Sequence, residues 1–185
     1  RVNYAKQALM YMIHHKMYGT IYSKNTDAHG PFVISAFADG SLMNESKSRS
    51  RVARLVKMAG ASVAAKTNKT TTVHLSSASV ETEAACHAAL DVVGIRHLLE
   101  EIGIWYNKPV VIYEDNQPTI QVANNERSLA DAGRHLETRN YKLSELVENE
   151  SVILTYMSTE RQVADLLTKS LGKIAFERLR DDLTG

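Results

Sequence analysis

VVIYEDNQPTI, residues 110–120, runs four apolar residues into two acidic ones and then into Asn-Gln-Pro. The apolar run is too continuous for a half-exposed strand, so residues 108–113 read as a central, parallel strand. Two readings explain the carboxylate at its tip. In one, Asp115 or Asn116 caps the next helix, with Pro118 early in its first turn. In the other, Asp115 holds a metal at the carboxyl end of a strand, where open α/β sheets bind their ligands. A helix of about two turns is expected from Gln117 onward.

Upstream, residues 33–37 are rich in strand formers and lead into Asp39-Gly40-Ser41. RVARLVKMAGAS and ASVAAKTNK predict two more strands joined near Ala59-Gly60. From Ser79, a plausible N-cap, the period changes. Val80, Ala84, Ala88, Val92, Ile95, Leu99 and Ile102 mark one face of a long helix that Gly103 stops. Downstream, residues 136–147 read as a helix and 152–157 as a strand. STERQVADLLTKSL opens with a capping pattern and predicts a helix. The final helix carries Phe176, Leu179 and Leu183 on one face. Three consecutive strands can form a meander, and the two strands reached by helical crossovers run parallel. The expected fold is α/β, a five-stranded mixed sheet of order 3-2-1-4-5 flanked by helices.

The 185 residues suffice for one well-buried domain, with 44% hydrophobic and 23% charged residues. No apolar run approaches the roughly 20 residues of a membrane helix. The single Cys86 excludes an internal disulfide and any multi-cysteine zinc site. The chain opens at RVNYAKQALMYM without an initiator Met, as expected of a piece of a longer protein. Residues 2–17 have helical spacing, 19–24 suggest a short strand, and 25–31 a linker. Residues 1–30 are therefore an appendage and 31–185 the main domain. Charge is uneven: residues 46–80 hold Lys47, Arg49, Arg51, Arg54, Lys57, Lys66 and Lys69 with no Asp or Glu. That pattern suits nucleic acid, and it equally suits a solvated hairpin.

Four acids fall near element ends: Asp39 after the first strand, Glu81 in the first turn of the long helix, Asp115 past the fourth strand, and Asp165 after the fifth. Each alone has a plain explanation as a turn, helix-end or surface residue. In order 3-2-1-4-5, however, strands one and four are neighbours, and the helix over them brings Glu81 to the same spot. Carboxylates gathered this way need cations. Oxygen-only ligation suits Mg²⁺ or Mn²⁺. Two such ions about 4 Å apart can activate water and stabilise the leaving oxygen of a phosphodiester.

These residues also carry a family resemblance. FADGS (37–41), Glu81, DNQ (115–117) and Asp165 resemble ribonuclease H. AKQALMYMIHHKMYGTIYSK, HLSSASVE, VVIYEDNQPTI, RHLETRNYKLSELV and LTYMSTERQVADLLTKSL resemble, in order, the ribonuclease H region ending copia-type retrotransposon polyproteins. The resemblance implies a metal-dependent endoribonuclease that cuts the RNA strand of RNA–DNA hybrids during reverse transcription, with two Mg²⁺ ions, or Mn²⁺, as cofactor. It matches Asp39, Glu81, Asp115 and Asp165 to the metal-binding acids and Gln117, beside Asn116, to a hybrid contact. It makes residues 1–30 the end of an upstream reverse transcriptase, through which a homodimer could form. It implies a cytoplasmic location in virus-like particles. Arg49, Arg51, Arg54 and Lys57 are the candidate phosphate holders. The alternative is a silent domain of this fold that tethers hybrid for the polymerase.

Departures from the pattern are Ser79, where the family commonly has a second Glu, and Thr82, where it has an aromatic residue. YMSTERQVAD leaves no room for the His-bearing loop of cellular ribonucleases H, as in the copia type. His135 is then the candidate accessory residue, with a structural contact on its helix as the alternative.

Overall fold

The computed structural model describes residues 2–23, 33–45, 49–124 and 137–185. Helix α1 (Val2–His14) precedes strands β1 (Ile34–Glu45), β2 (Arg49–Met58) and β3 (Ala61–Lys69). Helix α2 (Ser77–Glu101), β4 (Val110–Glu114), α3 (Gln117–Ala123), α4 (Glu137–Glu148) and β5 (Val152–Tyr156) follow. Two 3₁₀ turns, Thr159–Arg161 and Val163–Leu167, lead to α5 (Lys173–Thr184). The five strands form one sheet in the order β3-β2-β1-β4-β5, as expected. β1, β2 and β3 pair antiparallel, whereas β4 is parallel to both β1 and β5. Among the described residues no helix is long and apolar enough to cross a membrane.

The hairpin expected at Ala59-Gly60 is there, with Met58 opposite Ala61. Ala59 (φ 54°) and Gly60 (φ 83°) both have positive φ, the conformation that matches a two-residue turn to the strands' twist. Ala59 carries a Cβ that this region disfavours.

Alternate residues of β1 serve opposite faces. Ile34, Ala36 and Ala38 join Val52, Val56, Val110 and Ile112 in the larger core under α2. Ala84, Ala85, Ala88 and Ala89 are wholly buried there, so their small size brings the helix backbone close to the sheet. Gly40 is where the approach is tightest. A Cβ at this position would meet Glu81 N and Val80 C, both at 2.8 Å. On the other face, Phe37 and Leu55 pack against Val163 and Ala164, and the Phe37 and Tyr113 rings lie 5.1 Å apart.

Several boundaries differ from expectation. Ser76, not Ser79, caps α2 by accepting from Ser79 N, and the Ser79 hydroxyl instead donates to Ser76 O. Gly103 (φ 82°) closes the helix as expected, its N–H reaching Glu100 O. β1 does not end at Asp39. Its antiparallel pairing continues through Gly40↔Val52 and Ser41↔Arg51, while the parallel pairing with β4 stops at Phe37↔Tyr113. STERQVADLLTKSL is not one α-helix. Gln162 interrupts it with an extended backbone (φ −70°, ψ 100°) and a side chain buried in the sheet's open seam. Tertiary hydrogen bonds override helix propensity there.

Residues 18–23 form no strand. They dock by single contacts: Ile21 N to Thr184 O (2.8 Å), Ser23 N to Ala59 O (3.0 Å) and the Tyr22 hydroxyl to Ser62 O (2.8 Å). Arg180 of α5 donates to the Tyr11 and Tyr18 hydroxyls and lies 4.1 Å over the Tyr18 ring. The N-terminal segment therefore packs on α5 and the hairpin tip.

Two substitutions test this frame by urea unfolding. Ala59→Asn should raise stability by about 1 kcal/mol, because Asn tolerates the positive φ that Ala resists. Gly40→Ala should lower it by about 1–3 kcal/mol, because the new methyl meets backbone rather than a movable side chain.

Candidate metal centre

Where β4 stops pairing with β1, the sheet opens a seam, and Asp39 stands in it two residues beyond the last rung. Asp115 follows β4 directly, and Glu81 descends from α2 across Gly40. Ligand atoms of Asp39, Glu81 and Asp115 all lie within 4.8 Å of one another. Asp39 and Glu81 are buried and Asp115 is half-buried. Asn116 takes the capping role, its Oδ1 accepting from Thr119 N at 3.1 Å. That leaves the Asp115 carboxylate to the cluster, where its Oδ2 accepts from the Thr159 hydroxyl at 2.7 Å.

Asp165 enters from the second 3₁₀ turn. Lys169 joins it to Asp39, with Nζ 2.7 Å from Asp165 Oδ1 and 3.0 Å from Asp39 Oδ1. The Thr168 hydroxyl donates to the other Asp39 oxygen. Gln162 anchors this segment. Its wholly buried amide donates to Ala38 O (2.9 Å) and Tyr113 O (3.3 Å), bridging β1 and β4 just where their ladder ends.

Two further acids lie close by. Glu114 is wholly buried and accepts from Asn116 N through Oε1, while its Oε2 has no hydrogen-bond partner among the described residues. Glu83 Oε2 lies 2.9 Å from both His74 Nε2 and Arg139 Nη1, the latter an ion pair, and His74 Nδ1 lies 3.0 Å from Ser79 Oγ. These contacts tie the Glu81-bearing turns of α2 to the preceding loop and to α4.

The electrostatics follow from this crowding. Burial first, then the Glu114, Asp39 and Asp115 carboxylates, push Glu81 up to about 10, against the Gly40 N–H that donates to it at 2.5 Å. Burial likewise holds Glu114 well above its ordinary value. Asp165 is raised to about 6 by burial, with the Lys169 hydrogen bond opposing. For Lys169, burial works against the charge, but Asp165 and Asp39 outweigh it and raise its pKa. Two unit charges about 5 Å apart repel by about 3 kcal/mol at an effective dielectric near 20. An all-oxygen donor set under that strain, with an unpartnered buried carboxylate oxygen beside it, fits a hard divalent cation.

The basic candidates separate. Arg49 and Arg51 lie at the acid end of β2, Arg51 opposite Ser41; Arg49 donates to Thr71 O and Arg51 to Thr67 Oγ1. Arg54 points to the other face, where it pairs with Asp91 of α2 at 2.8 Å and bonds Asn68. Lys57 lies opposite Ser35, away from the acids, and donates to Asp182 O. Gln117 is exposed at the start of α3, next to Asp115. His135 lies outside the described residues.

Sequence reasoning did not reach Glu114, Gln162 or Lys169. Strand alternation could have set Glu114 on the face opposite Asp115, and spacing could have set Lys169 one turn beyond Asp165. No pattern marks Gln162.

No family model matches the sequence. It is 25% identical over 150 residues, 80% of the chain, to the retrovirus-related Pol polyprotein from transposon TNT 1-94 of Nicotiana tabacum. It is 22% identical over 161 residues, 86% of the chain, to the transposon Ty1-LR3 Gag-Pol polyprotein of Saccharomyces cerevisiae. The chain spans 11% and 9% of those two relatives' length. Among solved structures it resembles the N-terminal RNase H domain of a Mycobacterium tuberculosis protein (TM-score 0.57, 11% identity), over 81% of this chain and 97% of that one. It also resembles LC11-RNase H1, solved in complex with RNA/DNA hybrid (TM-score 0.56, 12% identity), over 72% of this chain and 92% of that one. The fold is that of ribonuclease H, and in sequence the chain is related to Pol polyproteins of Ty1/copia-type retrotransposons.

Proposed function

We propose that this chain is the ribonuclease H domain of a retrotransposon polyprotein, cleaving the RNA strand of RNA–DNA hybrids with divalent ions. The observation that carries this reading is the convergence of Asp39, Glu81 and Asp115, from three separate elements, on one point at the mouth of a ribonuclease H sheet. Asp39, Glu81 and Asp115 would hold one Mg²⁺ or Mn²⁺, and Asp39 with Asp165 a second. Bound there, the ions supply an activated water and stabilise the leaving 3′-oxygen of a phosphodiester.

The chain's own residues do the rest. The seam walls fix the acids: Gln162 clamps β1 to β4, and the Glu83 pairs hold the Glu81-bearing turns. Arg49 and Arg51, at the acid end, hold phosphates of the hybrid without reading its sequence. Arg54, paired with Asp91 on the other face, and Lys57, opposite Ser35 and away from the acids, are the weaker candidates. Exposed Gln117 reaches the hybrid's shallow minor groove, where the 2′-hydroxyls distinguish RNA from DNA. Residues 2–23, docked on α5, are the end of a connection to an upstream reverse transcriptase.

A silent tether would also bind hybrid, but it has no use for buried, mutually repelling carboxylates. Removing that repulsion would stabilise such a domain, so the acid cluster favours the active reading.

Labelled hybrid and duplex DNA, each with Mg²⁺ or EDTA, test the proposal. The chain should cut only the RNA of the hybrid, and only with metal. Asp39→Asn and Asp115→Asn should each reduce cleavage by at least about 100-fold with circular dichroism unchanged. Unimpaired cleavage by both variants would contradict the assignment. Hybrid binding by the Asp39→Asn protein should weaken steeply with salt, and Arg51→Ala should lower the log–log slope by about 1.

A further inference from the structure

The two halves of the acid cluster are not equivalent. Glu81 and Asp115 form no ion pair with a Lys, Arg or His among the described residues, whereas Asp39 and Asp165 share the Lys169 ammonium. Resting on the metal reading above, we infer that Lys169 is the chain's own cation for the Asp39–Asp165 half, and that a second divalent ion enters only as Lys169 leaves.

The geometry supports an exchangeable occupant. The Lys169 side chain is 34% exposed, against 0% for Asp39 and 5% for Asp165, so the ammonium reaches buried oxygens from a solvent-facing stem. That stem has four rotatable carbons and can swing outward without moving the backbone. The backbone is itself held, because Lys169 N donates to Asp165 O at 2.9 Å. An ion joining Asp39 to Asp165 needs the same two oxygens, Asp39 Oδ1 and Asp165 Oδ1, that now face Nζ. Ammonium and divalent ion cannot share them, since like charges at contact distance in a half-buried site repel strongly.

The first ion, in the Asp39–Glu81–Asp115 half, shares only Asp39 with the ammonium, and its other two ligands pair with no cation among the described residues. The second binds with an affinity reduced by the fraction of time Lys169 is in place. The protein is therefore expected to be a one-ion binder at low metal concentration and a two-ion binder at high concentration. Lys169 sets the threshold by occupying the second ion's oxygens and does not touch the reacting atoms.

Calorimetric titration of Mn²⁺ into the substrate-free chain tests this without any activity readout. Wild type should show one tighter and one weaker site. Lys169→Gln should tighten the weaker site by about tenfold and leave the other within about twofold. Lys169→Arg, which keeps the charge, should retain the wild-type pattern. In EDTA, Lys169→Gln should melt below wild type, and Mn²⁺ should close the gap, which shows that the variant is folded. An unchanged weaker site in Lys169→Gln would overturn the role of Lys169 while leaving the metal reading intact. Absence of Mn²⁺ binding by both wild type and Lys169→Gln would overturn the metal reading, and the role of Lys169 with it.

Discussion

Mutual repulsion among buried carboxylates is the constraint around which this fold is arranged. Asp39, Glu81, Glu114 and Asp165 are all buried at one end of the sheet, and half-buried Asp115 completes the group. A folded chain accepts that crowding only if neighbouring groups fix each acid against its tendency to move apart or to take up a proton. The supports are visible one by one. The Gly40 N–H donates to Glu81, the Thr159 hydroxyl to Asp115, the Thr168 hydroxyl and Lys169 to Asp39, and the Asn116 N–H to Glu114. None of them neutralises the whole group, which is why a divalent cation is the natural completion of the site.

The opening that hosts the acids is a topological consequence. β1 is long because its antiparallel partner β2 runs past Asp39, but β4 is only five residues and its ladder to β1 ends at Tyr113. At this gap the Gln162 amide donates to the carbonyls of both Ala38 and Tyr113. The same side chain breaks the expected helix into two 3₁₀ turns and thereby aims Asp165 and Lys169 at Asp39. One buried amide thus couples sheet closure to the geometry of the site.

Much of this was legible in the sequence, for identifiable reasons. Turn chemistry at Ala59-Gly60 located the hairpin, apolar continuity made β4 central, and the apolar face of α2 together with Gly103 set its extent. Crossover rules made β4 and β5 parallel, and in the order 3-2-1-4-5 of a ribonuclease H-like fold, which the sheet has, strands one and four are neighbours, so Asp39 and Asp115 meet. What escaped depends on contacts that no local pattern encodes. The capping of α2 moved to Ser76 because Ser79 faces His74. Arg54 read as a nucleic-acid contact, but strand alternation turns it under α2 to Asp91. The segment around residue 20 has strand-forming side chains, yet among the described residues it meets the end of α5 and the hairpin tip by single contacts, which build no ladder.

The central claim, that these acids form a divalent-cation centre, is tested most directly by crystals of the chain soaked in Mn²⁺ and measured at the manganese absorption edge. The account predicts an anomalous-difference peak ligated by Asp39, Glu81 and Asp115. A map with no peak among those three carboxylates at millimolar Mn²⁺, in a crystal whose fold is otherwise as described, would contradict it.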